Sequence, residues 1–220
     1  MVRIIKLDGT SAVGKTSFVK TQGIPMALTD YDEQCRRQPI YAQKSKSPFI
    51  AGLYLNDLAT RIDKLRAMYA SRDVVYTDRA PVSSILYDLL FECAGDDVKF
   101  NGDCLKRIYD SVINIRDILG DIFATDLIKN EHTIFLINSD EEGLSNVVNR
   151  RGDHLNRDFD KSYIRAQNYM FSLVAQFCFV DIYDYTAFRS NKYNYGNCVD
   201  FDVLCNVWND GYIAHYESCQ

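Results

Sequence analysis

The octapeptide Gly9-Thr10-Ser11-Ala12-Val13-Gly14-Lys15-Thr16 decides how the rest of the chain is read. It follows a β-rich apolar run at 2–7, separated from it by Asp8, and opens a helix-compatible stretch at 15–22. Every fixed position of G-x-x-x-x-G-K-[ST] is filled, and a strand before with a helix after is the setting that the pattern requires. Average residue usage yields it by chance in roughly one chain in a hundred of this length. Such a loop cradles a phosphate. Its glycines let backbone N–H groups curl around the anion, and the start of the helix adds its positive end. Lys15 reaches the β/γ-oxygens, and the Thr16 hydroxyl can ligate Mg²⁺. Gly9, Thr10, Ser11, Ala12, Val13, Gly14, Lys15, Thr16 and Ser17 are therefore the expected triphosphate site.

Further along the chain, Gly23 supplies a helix stop, and 24–29 reads as a second strand that delivers Asp30, Asp32 and Glu33 at its end. Between 49 and 69, Leu55, Leu58, Ile62, Leu65 and Met68 recur at spacings of three and four, the period of an amphipathic helix. A third strand is predicted at 73–77, closing at Asp78-Arg79, and a helix at 81–91 carries Pro81 in its first turn. A second long helix covers 103–124 through Leu105, Ile108, Val112, Ile115 and Leu119. A strongly apolar strand at 133–138, a helix at 140–149, an arginine-rich segment at 150–158, a helix at 159–176 and a strand at 180–185 follow. Strands that alternate with helices and read as apolar runs predict an α/β fold, a parallel sheet covered on both faces. No repeat or low-complexity linker divides the chain. The reading is one domain over 1–220, with a loop and terminal helix at about 186–220.

Composition narrows the function classes. The 220 residues carry 25 Lys plus Arg against 30 Asp plus Glu, a net charge of -5, and 47% are apolar, enough for one stable core. An acidic balance argues against gripping long nucleic acid, which draws on clustered cations. No run approaches 18 apolar residues, and Lys6 and Asp8 interrupt the first one, so neither a membrane span nor a signal peptide is expected. Seven cysteines, an odd number with no CxxC pair, read as reduced thiols of a cytoplasmic protein. His132, His154 and His215 are scattered, and no Cys/His spacing fits zinc.

The remaining charged residues point to one crevice. Asp78 closes an apolar strand in the manner of an acid that serves Mg²⁺ near a phosphate loop, and Arg79 follows it. In a parallel sheet, ligands sit at the carboxyl ends of the strands, so Asp78, Arg79, Asp30 and the loop should converge. Asn149-Arg150-Arg151-Gly152-Asp153-His154-Leu155-Asn156-Arg157-Asp158 joins two helices. Arginines that close over a transferring phosphoryl group stabilise its spread charge and exclude water, the role expected of Arg150, Arg151 and Arg157 in a lid at about 149–158.

Taken together, these motifs resemble the thymidylate kinase and deoxynucleoside kinase family of P-loop nucleoside and nucleotide kinases. Three stretches carry the resemblance: 7–17, Asp78-Arg79-Ala80-Pro81-Val82-Ser83-Ser84, and Arg151-Gly152-Asp153-His154-Leu155-Asn156-Arg157. The second is similar to the family's D/E-R-[SY]-x-x-S, in which the acid serves the metal and the arginine holds the acceptor. The third is similar to its R-x-G-x-x-x-R lid. The resemblance covers about 2–180 and implies a three-layer P-loop NTPase fold, a five-stranded parallel sheet with helices on both faces and an arginine-rich lid. It implies ATP and Mg²⁺ as cofactors and transfer of the γ-phosphoryl group to a nucleoside or nucleoside monophosphate of the pyrimidine, thymidine type. Ala80 stands where the family has serine or tyrosine. The second strand offers Thr29-Asp30-Tyr31-Asp32-Glu33 in place of R-E-P-G or E-x-x-x-[WF].

A nucleoside acceptor must lose its 5′-hydroxyl proton, which makes Asp30, then Asp32, the candidate general base. A monophosphate needs cations instead, and Arg36, Arg37 and Arg79 supply them. Asn56, on the 49–69 helix, is the candidate for base recognition. The two long helices could pair into a homodimer, as in family members, or simply cover the sheet. Two other classes stand beside the kinase. One is a nucleotide-dependent switch or GTPase, whose N-K-x-D base reader Asn191-Lys192-Tyr193-Asn194 imitates without the final carboxylate. The other is a binding protein on a catalytically decayed kinase fold.

Overall fold

The computed structural model describes residues 1–24, 48–95, 98–151 and 160–184. Among them the elements run β1 Arg3–Gly9, α1 Lys15–Lys20, α2 Pro48–Met68, β2 Val74–Asp78, α3 Val82–Ala94, α4 Gly102–Ile128, β3 Glu131–Ile137, α5 Glu141–Arg151, α6 Lys161–Cys178 and β4 Asp181–Asp184. All strand pairs are parallel, in the order β2-β1-β3-β4. The fold is α/β as expected, but the described sheet has four strands and not five. The strand expected at 24–29 falls, apart from Ile24, outside the described residues.

β1 is central, with Leu7 opposite Asp78, Asp8 opposite Phe135 and Gly9 opposite Leu136. A central strand is covered on both sides, so Ile4, Ile5, Lys6, Leu7 and Asp8 are all buried and the period of two is hidden in the sequence. Alternation still assigns the faces. Ile5 and Leu7 pack with Tyr76, Ile134 and Val19 of α1. On the other face, Ile4 and Val75 meet Ile62 and Leu65 of α2. There Phe135 joins Leu86 and Leu90 of α3, Ile108 and Val112 of α4, and Phe171 of α6.

Local chemistry sets the helix limits. Asn101 caps α4 by accepting from Cys104 N at 3.0 Å, and Asp160 caps α6 by accepting from Ser162 N at 2.9 Å. α3 stops at Gly95, whose φ of 75° lets its N–H return to the Glu92 carbonyl at 3.1 Å. Lys6, which the sequence presents as a polar break, is buried in β1. It pairs with Asp126 and, at 3.1 Å, with Glu131, which in turn pairs with Arg66 of α2. No helix among the described residues is long and apolar enough to cross a membrane.

Candidate functional site

At the carboxyl end of β1 the chain turns hard against β3. Gly9 has φ 112°, and a Cβ placed on it would lie 2.1 Å from Leu136 O. That same oxygen accepts from Thr10 N at 2.9 Å. Two side chains of α6 then take hold of the loop: Gln167 Oε1 accepts from Ser11 N at 2.9 Å, and Asn168 Oδ1 accepts from the Thr10 hydroxyl at 2.6 Å. Ala12 (φ 63°) and Gly14 (φ 108°) are left-handed, and they swing the chain into α1. Among the described residues no hydrogen bond takes the N–H of Ala12, Val13 or Gly14. The loop is thus fastened at its first two residues and keeps three successive amide donors for an anion.

Lys15 is buried, and its Nζ donates to the carbonyls of Gly9 at 3.0 Å and Thr10 at 2.7 Å. The register that puts Leu7 opposite Asp78 places Asp78 on the α1 side of the sheet. There the Thr16 hydroxyl donates to Asp78 Oδ2. Asp78 is 4% exposed, and its Oδ1 is buried with no hydrogen-bond partner. Burying a carboxylate oxygen unpaired is costly, and a cation beside it removes that cost.

Arg79 has φ 71°, a left-handed conformation that a side chain rarely adopts. Its N–H continues the ladder to Leu7 O at 2.7 Å, and its guanidinium lies over the ring of Tyr87, 4.6 Å from the centroid. Asp8 faces the other side of the sheet and is fully buried. It accepts from Gly9 N at 2.8 Å, from Ala80 N at 3.4 Å and from the Ser83 hydroxyl across both oxygens at 2.7 and 2.6 Å. It therefore stitches the start of α3 to the end of β1. The Tyr87 hydroxyl reaches Gly9 O, and its pKa is raised, chiefly by burial and against the pull of Arg79.

The structure brings together the 9–16 loop, Asp78 and Arg79, the core of the predicted site. Asp8, Tyr87, Gln167 and Asn168 are additions that the sequence reading did not assign. Ser17 is exposed on α1, and Asn56 is exposed on α2, on the side away from Leu58 and Ile62. Arg150 is exposed on α5 and donates from Nε to Asn146 O at 3.2 Å; with Asn146 and Asn149 it lines a cleft of about 620 Å³. Arg151 is the last residue of α5. Asp30, Asp32, Arg36, Arg37, Arg157 and the segment 186–220 lie outside the described residues. Comparison of the chain with protein-family models, with curated proteins and with solved structures finds no match.

Proposed function

We propose that this chain is a phosphotransferase that moves the γ-phosphoryl group of Mg²⁺-ATP to a nucleoside or nucleoside monophosphate. The observation that carries the reading is the partnerless Oδ1 of Asp78 beside the Thr16 hydroxyl, at the mouth of a loop with three uncommitted amides. This donor set, one carboxylate and one hydroxyl, suits a hard cation that takes its other ligands from water and phosphate. Thr16 and Asp78 are the residues that would hold it, and it would supply positive charge that offsets the charge of the phosphates. The amides of 12–14 bind the anion. Lys15 exchanges the carbonyls of Gly9 and Thr10 for phosphate oxygens, and Arg79 presents a second cation from the end of β2. Asp30 or Asp32 takes the proton of a nucleoside 5′-hydroxyl, whereas Arg36 and Arg37 hold the phosphate of a monophosphate. Arg150, Arg151 and Arg157 close over the transferring group.

The finer fold belongs to the same proposal: three layers, with 24–29 as a fifth strand on the outer edge of β2. Among the described residues no strand pairs with that edge. The amide of Gln22 sits there instead, accepting from Tyr76 N at 2.8 Å and donating to Tyr76 O at 2.7 Å, just ahead of the buried Ile24.

An ADP-release assay with Mg²⁺-ATP, offering each deoxynucleoside and each deoxynucleoside monophosphate in turn, tests the reading against Lys15→Ala as the blank. Turnover that needs an acceptor and vanishes in the variant is the expected result. ATP binding with silence across the whole panel would transfer the protein to the binding-only class.

A further inference from the structure

Tyr87 does more than fill the core. Its ring meets Phe171 edge-on at 6.1 Å, a contact that phenylalanine would keep. The hydroxyl is what distinguishes it. That oxygen lies 3.1 Å from Gly9 O, 2.8 Å from Gln167 Oε1 and 3.3 Å from Ser11 Oγ. Its one proton is shared between the first two acceptors, and burial keeps the phenol neutral and therefore a donor. Both acceptors already serve the loop: Gly9 O accepts from Lys15 Nζ at 3.0 Å, and Gln167 Oε1 from Ser11 N at 2.9 Å. The ring that supports the Arg79 guanidinium is thus fastened to the two atoms that hold Lys15 and the loop.

The backbone of Arg79 is fixed independently. Its N–H is bound to Leu7 O, and the next residues, Ala80 and Ser83, are bound to Asp8. The direction of its side chain is then set by side-chain contacts, and the stack on Tyr87 is one of them.

We propose that Tyr87 is a positioning residue whose hydroxyl registers the Arg79 guanidinium to the 9–14 loop, so that Arg79 and Lys15 act on one bound triphosphate. The inference rests on the phosphotransferase reading and adds to it a residue that touches no substrate. A planar guanidinium stacked on a ring that is hydrogen-bonded to the loop moves with the loop, and a freed one does not.

The test is a double-variant cycle on the full chain. A fluorescent N-methylanthraniloyl ATP with Mg²⁺ is titrated into wild type, Tyr87→Phe, Arg79→Ala and the double variant, with thermal melts as the folding check. Tyr87→Phe is expected to weaken binding about 3- to 30-fold. The double variant should lose less than the product of the two single losses, because the coupling of Arg79 to the loop runs through Tyr87. Arg79→Lys keeps the charge but loses the planar stack, and it should match Tyr87→Phe. Tyr69→Phe, which alters a second Arg–Tyr stack in which Arg72 lies 4.9 Å from the ring centroid, should bind as wild type. In the turnover assay Tyr87→Phe should lower kcat more than it raises the acceptor KM. Binding by Tyr87→Phe within twofold of wild type would overturn the proposal, as would losses that multiply in the double variant. The parent reading fails separately, through a wild type that shows the coupled cycle yet turns over no acceptor. A wild type that does not bind Mg²⁺-ATP defeats both.

Discussion

The Thr16 hydroxyl donates to one oxygen of Asp78, and the other oxygen of that carboxylate is buried without a hydrogen-bond partner. A buried acceptor left unpaired costs the fold roughly 1–3 kcal/mol. Replacing the charged group by an amide of the same shape removes part of that cost. Asp78→Asn is accordingly expected to melt at the wild-type temperature or a few degrees above it. Ligand linkage should go the other way: Mg²⁺-ATP at a hundred times its Kd stabilises wild type by about 2.7 kcal/mol, roughly 5–10 °C for a chain of this size. In Asp78→Asn that increment should disappear. Thermal shift with and without Mg²⁺-ATP decides it, and a variant that melts well below wild type with no ligand present would mean that the carboxylate serves the fold instead.

Two glycines of the loop separate backbone strain from steric collision. Gly9 and Gly14 have nearly the same φ, 112° and 108°, yet a Cβ on Gly9 would lie 2.1 Å from Leu136 O and 2.6 Å from Leu136 N, while nothing lies within 4 Å of one on Gly14. Gly14→Ala carries only the left-handed penalty, about 1–2 kcal/mol. Gly9→Ala forces the backbone of β3 to move and should lose about 4 kcal/mol or more. Urea denaturation of the two variants measures the gap, and equal losses would show that the end of β1 yields easily.

What was legible in the sequence was local. The loop 9–16 announces itself by spacing, and the strands at 74–78 and 131–137 by β-rich apolar runs between turn residues. Asp78 and Arg79 follow from a strand ending in charge. The contacts that complete the site come from far along the chain: Gln167 is 156 residues from Ser11, and Asn168 is 158 from Thr10. Both sit as adjacent polar residues in an apolar-periodic helix, which is the one signal that could have marked them. Tyr87 was hidden for the opposite reason, since an aromatic at helical spacing reads as core and its ring is core. Asn56 lies on the exposed side of α2, where the apolar stripe turns it to solvent.

Lys6, a polar break in the sequence and a buried ion pair in the fold, gives a stability prediction. Its ammonium is buried between Asp126 and Glu131. Lys6→Met would leave two carboxylates facing each other, with Arg66 as the remaining cation on Glu131, and should cost about 3–5 kcal/mol. Adding Glu131→Gln removes one of the stranded charges, so the double variant should be more stable than Lys6→Met by about 1 kcal/mol or more. Chemical denaturation of the pair reads this directly. A double variant less stable than the single one would show that Lys6 contributes by packing its methylenes and not by matching charge.

The helix that grips the loop depends on a cap that titrates. Asp160 holds the first turn of α6, and its pKa is lowered from 3.8, first by the Ser162 hydroxyl and then, against some burial, by the backbone N–H groups of Ser162 and Tyr163. A carboxyl whose native pKa lies below its unfolded value adds stability above the unfolded value, and that contribution is lost as pH falls through the native one. Asp160→Ala should therefore be less stable than wild type by about 1 kcal/mol near neutral pH, the ordinary worth of an N-cap. The difference should shrink as pH drops below the usual carboxylate range. Asp160→Asn keeps an acceptor oxygen without the charge, so it should retain most of the cap near neutral pH and show no such slope. Because Asp160 is exposed, added salt should reduce the acid-dependent part and leave the hydrogen-bonded part alone. Urea midpoints for the three proteins across the acid range test this, and an Asp160→Ala deficit that is the same on both sides of the titration would assign the cap to backbone geometry, with no role for the carboxylate's charge.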